Sequence, residues 1–127
     1  MADPRTPPYR VEKPWGYEIW WARTDRYVGK ILHAKKGESL SLQYHNVKDE
    51  TIRILEGKLL LETKQKQEPG ELRKIEMNPG DVFHILPLTL HRMTGLEDTD
   101  ILEVSTPELD DVVRLEDRYG RAGTSKP

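Results

Sequence analysis

The sequence predicts an all-β protein, a sandwich or a small barrel, on three observations. Its apolar residues fall in short runs rich in Ile, Leu, Val, Tyr and Trp. Turn signals such as KKGE, EPGE and NPGD separate those runs. No window before residue 108 holds an apolar three-four repeat long enough for a core helix. Many short strands at even spacing are what layered or closed antiparallel sheets require.

Each element follows from its residues. The opening MADPRTPPYR carries prolines at 4, 7 and 8, which remove backbone donors, so residues 1–12 are expected to form an extended arm. Strands are expected at YEIWWA, YVGKILHA, SLSLQYH, TIRILEG, KLLLET, LRKIEM, DVFHIL, HRMTGL and ILEVST, which place the barrel over residues 13–107. The run KQKQEPGE reads as a solvated hairpin loop. Residues 108–127 form the C-terminal segment: ELDDVVRLEDRYG is expected to make a short helix, and RAGTSKP a disordered tail. Trp15, Trp20 and Trp21 are read as core or interface anchors.

Composition excludes several classes. At 127 residues the chain is long enough for one core and too short for two domains. With 35% hydrophobic and 33% charged residues, it reads as a soluble globular protein. No apolar run approaches a membrane span and no charged-then-apolar leader opens the chain, so no membrane partner is expected and the location is read as cytoplasmic. Twenty basic and 22 acidic residues are intermixed, and no basic stripe points to nucleic acid. With no cysteine, any bound metal must be held by His, carboxylate or amide groups.

One stretch carries such groups at telling positions. In GESLSLQYHNVKDETIRILEG, Gln43 and His45 are two apart and share a strand face. If Asn46 to Asp49 closes a hairpin, Glu50 lies across from His45 on that face. Burying a carboxylate beside a histidine is costly unless something pairs with it, and a divalent cation does so efficiently. The alternative is a polar hairpin end that faces water.

The spacing G-x5-Q-x-H-x4-E-x6-G, from Gly37 to Gly57, resembles the first motif of the cupins, with Gln43 in place of the first histidine. The second cupin motif, G-x5-P-x-G-x2-H, is matched at Gly80 and His91, with Leu86 and Leu88 standing where proline and glycine are expected. The resemblance implies a double-stranded β-helix, a jelly-roll barrel with a divalent metal inside one end, held by Gln43, His45, Glu50 and His91. Among cupins, type I phosphomannose isomerases use a Gln-x-His pair, a glutamate and a later histidine to bind zinc. Zinc is therefore the first expectation, with Mn, Ni or Fe as alternatives. KPWGYEIWW from Lys13 and DDVVRLEDRYGR from Asp110 resemble the opening and ending of the isomerase domain of type II phosphomannose isomerases. No glycine-rich nucleotide loop is present, so only that isomerase portion is expected, and Val47 and Thr51 depart from the histidines common there.

The activity this implies is interconversion of an aldose phosphate and a ketose phosphate, mannose 6-phosphate and fructose 6-phosphate first. Glu103 is the first candidate for the base, because strand parity allows it to point inward; the alternative is a solvent-facing carboxylate. Lys30 and His84 are the other candidates, although His84 is expected to face away from the side of Phe83 and Ile85. Phosphate favours a forked donor, which selects Arg114 and then Arg121; the alternative for Arg114 is an ion pair with Asp110, Asp111 or Asp117. Another cupin enzyme (a dioxygenase, or an isomerase of a different sugar) and a non-catalytic sugar-binding barrel remain the competing classes. A homodimer is expected, with the aromatic strand YEIWW and the arm covering a neighbour's sheet edge.

Overall fold

The computed structural model describes residues 5–124. Among them twelve strands succeed one another: β1 (Tyr9–Lys13), β2 (Gly16–Arg23), β3 (Val28–Ala34), β4 (Leu42–Tyr44), β5 (Glu50–Glu56), β6 (Leu59–Gln65), β7 (Arg73–Met77), β8 (Val82–Ile85), β9 (Thr89–Gly95), β10 (Thr99–Ser105), β11 (Val113–Glu116) and β12 (Gly123–Thr124). They form two six-stranded sheets, ordered β1-β2-β3-β10-β5-β8 and β12-β11-β4-β9-β6-β7, with every pairing antiparallel. Successive strands from β3 to β10 mostly switch sheets, so the two layers wind as a double-stranded β-helix.

Alternation decides which side chains go inside. In β10 the positions Thr99, Ile101, Glu103 and Ser105 are buried, while Asp100, Leu102 and Val104 are not. The same period of two sends Ile52 and Ile54 of β5, Leu59 and Leu61 of β6 and Met93 of β9 into one apolar cluster with Ile85, Ile101 and Trp15. Each fully buried aliphatic side chain there contributes about 1.5–3 kcal/mol. Followed along the strands, that inner face changes character. Ile54 and Ile52 give way to Glu50, Ile101 to Glu103, and Met93 to His91, so one end of the sandwich is apolar and the other polar inside.

Two expectations need correction. All nine strands read from the sequence are present, but ELDDVVRLEDRYG forms no helix. Val113 and Arg114 instead pair with Tyr44 and Gln43, because β4 leaves a backbone edge open and two adjacent valines suit a strand. The Asn46–Asp49 link closes no hairpin either: β4 and β5 belong to different sheets, and the link crosses between them. The carboxylate of Asp111 replaces the missing ladder, accepting the backbone N–H groups of Asn46 (3.0 Å), Val47 (2.6 Å) and Lys48 (2.9 Å). Burial opposes the charge of that carboxylate, yet those donors hold its pKa at about 2. YEIWW lies in β2, paired by β1 and β3, and Tyr9 to Glu12, within the segment read as an arm, belong to β1.

Gly57 ends β5 for a steric reason. Its φ is +92°, and a Cβ there would stand 2.3 Å from the carbonyl oxygen of Asp98. Gly57→Ala is expected to lower stability by about 2 kcal/mol or more, read as a lower urea midpoint with an unchanged slope. Leu88, where the second motif would place a glycine, holds that left-handed geometry itself with φ 64°, and its N–H donates to the carbonyl of His45 (2.7 Å).

Candidate metal centre

Four elements bring the ligand-type residues together. Gln43 of β4 sits directly opposite His91 of β9, so the two side chains share the inner face of their sheet. His45 follows β4, and Glu50 opens β5 on the facing sheet. His91 Nε2 lies 3.5 Å from Glu50 Oε1, and His45 Nε2 lies 3.8 Å from Glu50 Oε2. One nitrogen from each imidazole and one carboxylate oxygen all fall within 4.8 Å of one another, and all three residues are buried. Tetrahedral coordination at ordinary metal–ligand lengths sets neighbouring ligand atoms about 3.4 Å apart, so this spacing fits a divalent ion.

The two imidazoles are oriented for that role from behind. The Nδ1 of His45 faces the carbonyl oxygen of Asp111 at 2.5 Å, and that of His91 faces the carbonyl oxygen of Thr89 at 2.9 Å. Each Nδ1–H donates outward, which leaves the Nε2 lone pair aimed into the cluster. His91 Nε2 is buried with no hydrogen-bond partner. A buried polar atom without a partner is costly, and a cation between the two histidines and Glu50 would satisfy it. The cluster of His45, Glu50 and His91 can therefore hold a metal ion.

Titration agrees with the geometry. Burial pushes the pKa of His45 down to about 4 against the opposing pull of Glu50, and burial lowers that of His91 as well. Both rings are neutral near pH 7, the state that ligates. Because the unfolded chain protonates His45 near its ordinary value of 6.5 and the folded protein only near 4, stability is full above pH 6.5 and falls as pH drops towards 4. The loss from His45 is on the order of 3 kcal/mol. Chelator-treated protein is accordingly expected to show a Tm that declines from pH 6.5 to pH 4, and a flat profile would contradict neutral buried histidines.

The remaining inner charges include a residue that sequence reasoning missed. Lys48, placed in the polar link by the sequence, turns inward and is 7% exposed. Its Nζ lies 3.0 Å from Glu50 Oε2 and 3.4 Å from Glu103 Oε2. The first contact is an ion pair without hydrogen-bond alignment, since Glu50 Oε2 has no hydrogen-bond partner. Burial alone would lower the pKa of Lys48, but Glu103 and Glu50 hold it above lysine's ordinary range. With both imidazoles neutral, Lys48 is the cation that keeps Glu50 ionised, well below the usual carboxylate range in spite of burial. The only signal in the sequence was parity, since Lys48 is two residues before Glu50.

Glu103 faces inward from β10, 4% exposed, and burial followed by the charge of Glu50 raises its pKa, against Lys48 and Lys30. Lys30 lies directly across from it on β3. The Lys30 ammonium is 3.4 Å from Glu18 Oε1 and sits over the Trp20 ring, 4.2 Å from its centroid. His84 lies on the outside, 2.6 Å from Asp49 Oδ1, away from this pocket. Trp15 and Trp20 are buried and Trp21 is exposed.

One pocket is lined by Glu50 and Glu103 together with Lys13, Arg114 and Arg121. Arg114, directly across from Gln43, is 8% exposed and its Nε has no hydrogen-bond partner. Burial and then the charge of Arg121 depress its pKa. Arg121 is clamped by Asp117, Nε to Oδ2 and Nη2 to Oδ1 at 3.0 Å each. Lys13 also reaches this pocket from the far end of the chain, where burial lowers its pKa.

No family model matches the chain. In sequence it is similar to the mannose-1-phosphate guanylyltransferase ManC of Salmonella typhimurium and to the mannose-1-phosphate guanylyltransferase of Escherichia coli, each 32% identical over 114 residues. Those matches take in 87% of this chain and 23% of each relative, so the chain spans about a quarter of the length of the curated relatives it matches. In structure it is similar to the capsular polysaccharide assembling protein CapF from Staphylococcus aureus, with TM-score 0.68 and 19% identity over 93% of this chain and 31% of that one. A sugar phosphate isomerase from a cupin superfamily, of Silicibacter pomeroyi, aligns with TM-score 0.59 and 20% identity over 76% of this chain and 64% of that one. At such identities the solved structures speak for the fold. The two wound sheets and these matches together show that the chain has the double-stranded β-helix fold of the cupins, with distant sequence similarity to part of the ManC guanylyltransferases.

Proposed function

We propose that the chain is a metal-dependent aldose–ketose isomerase acting on a sugar phosphate, with mannose 6-phosphate and fructose 6-phosphate as the first pair to test. The observation that carries this reading is one pocket, lined by His45, Glu50, Glu103 and Arg114, that brings together three things the reaction needs. They are a metal-type ligand set, a buried carboxylate with a raised pKa, and an arginine with an unpaired buried nitrogen. The similarity to part of the ManC guanylyltransferases supports the choice of sugar, because the segment shared resembles the isomerase portion of type II phosphomannose isomerases.

His45, Glu50 and His91 would hold the ion, zinc first, with the amide oxygen of Gln43 as a fourth ligand; one amide oxygen, two nitrogens and a carboxylate suit a borderline divalent cation. The ion would supply Lewis-acid stabilisation of negative charge on the sugar oxygens. Glu103 takes the proton from C2 of the aldose, the C–H electrons become the C1–C2 double bond, and the carbonyl π pair moves onto O1 to give an enediolate. Glu103 returns that proton to C1, while a second proton passes from O2 to O1. A carboxylate with a raised pKa suits both halves, since it must accept and then release a proton at neutral pH. Lys30, across the sheet from Glu103, adds positive charge on the enediolate side. Arg114 and Arg121, which line the same pocket, receive the phosphate.

The test is elemental analysis of the purified protein together with a coupled assay over a panel of sugar phosphates. Stoichiometric Zn, Mn, Ni or Fe and conversion of mannose 6-phosphate are expected. A metal-loaded barrel that isomerises no sugar phosphate would overturn the reading, and oxygen consumption would move it to the oxygenases. Arg114→Ala is expected to raise KM for the sugar phosphate roughly tenfold or more while kcat changes little, because a phosphate clamp acts equally in ground and transition states. An unchanged KM would remove Arg114 from the site.

A further inference from the structure

The centre contains more positive charge than a ligand set requires. Glu50 Oε2 faces both His45 Nε2 at 3.8 Å and the Lys48 ammonium at 3.0 Å, so a divalent ion engaging this carboxylate and a fixed lysine address one oxygen. Lys48 cannot easily withdraw. Its backbone N–H is held by Asp111 Oδ2 at 2.9 Å, and its side chain is 9% exposed. Among the described residues its other ion-pair partner is Glu103, with Oε2 at 3.4 Å. Two buried carboxylates therefore share a single ammonium, and burying either of them without a cation is costly.

We infer that Lys48 is a built-in counter-cation of the metal centre: its ammonium holds Glu50 when no ion is bound, competes with an incoming divalent cation, and is left to Glu103 once the centre is loaded. The residue thereby sets, through Glu50, how tightly the barrel takes its ion. The inference rests on the reading that His45, Glu50 and His91 bind a metal. Like charges a few ångströms apart in a buried site repel strongly, so the lysine weakens loading, while its two carboxylate partners keep it in place. Loading also leaves the ammonium paired with Glu103 alone.

The test compares Lys48→Met and Lys48→Arg with the parent protein at pH 7.5. Zn(II) affinity is measured by competition with a chromophoric chelator, and Tm is measured with and without the ion. Lys48→Met is expected to bind Zn(II) at least tenfold more tightly and to be less stable after chelator treatment, so that the gap between loaded and chelated Tm widens. Lys48→Arg keeps the charge and is expected to resemble the parent on both counts. General damage to the pocket would loosen the ion, so tightening is not a by-product of misfolding. If Lys48→Met folds only when Zn(II) is present, the ion has replaced the ammonium and the inference stands. A folded Lys48→Met with unchanged or weaker affinity overturns it, as does a variant that stays unfolded even with Zn(II). If the parent itself binds no divalent ion, the metal reading fails and the inference falls with it, whereas binding by the parent without tightening in the variant fails the inference alone.

Discussion

His45→Ala is expected to leave a folded barrel that carries no stoichiometric metal and isomerises sugar phosphate on the order of a thousandfold more slowly or worse. The fold should survive because the apolar cluster of Ile52, Ile54, Leu61 and Ile101 lies at the other end of the sandwich. The structural loss is the hydrogen bond between His45 Nδ1 and the Asp111 carbonyl, with a net value of about 1 kcal/mol, and the ring's packing against His91, 5.2 Å between centroids. The ligand loss is larger. His91 and Glu50 alone offer two of the three clustered donors, and Lys48 remains beside Glu50 as a competing cation. Lewis-acid stabilisation of a developing oxyanion is worth several kcal/mol, and about 4 kcal/mol corresponds to a thousandfold in rate. Metal analysis and the coupled assay read the two effects separately. Full activity in a metal-free His45→Ala protein would mean that the chemistry lies elsewhere.

Glu103→Gln is expected to do the opposite on one count: metal content stays and kcat falls by roughly 10²–10⁴-fold, the usual contribution of a positioned base. Glutamine preserves the shape and hydrogen-bonding reach of the side chain but cannot take a proton. The substitution also removes a buried negative charge beside Glu50, whose repulsion helps raise the pKa of Glu103, so thermal stability should hold or rise. The parent's kcat should increase with pH through the raised pKa of Glu103, because the base works deprotonated, and the variant should lose that limb. A Glu103→Gln enzyme that keeps more than about a tenth of kcat would assign the proton transfer to another group.

Much of this site was legible before any coordinates. The spacing of Gln43, His45, Glu50 and His91 named the ligand-type residues, and strand parity allowed Glu103 an inward position. Parity also accounts for the core, since Ile52 and Ile54, Leu59 and Leu61, and Ile101 all occupy alternate positions of their strands. Lys48 escaped notice because a lysine in a polar link has no apolar neighbours to betray its direction; what turns it inward is the pair of carboxylates from β5 and β10. The helix expected near the C-terminus failed for a related reason. Leu109, Val112, Val113 and Leu115 fit helical spacing in isolation, but the open edge of β4 supplies backbone partners that no local pattern reveals.

The sequence alone determined which residues of each strand share a face, because side-chain direction in an extended chain alternates whatever its partners are. It also determined the chemistry of the ligand set. Only the tertiary structure decided that β4 and β5 lie in opposite sheets, so that His45 and Glu50 meet across the sandwich interior, and that Lys13, Lys48, Glu103 and Arg114 line one pocket. Pairing between distant strands is settled by how the whole apolar surface can be buried at once, and that is a property of no single segment.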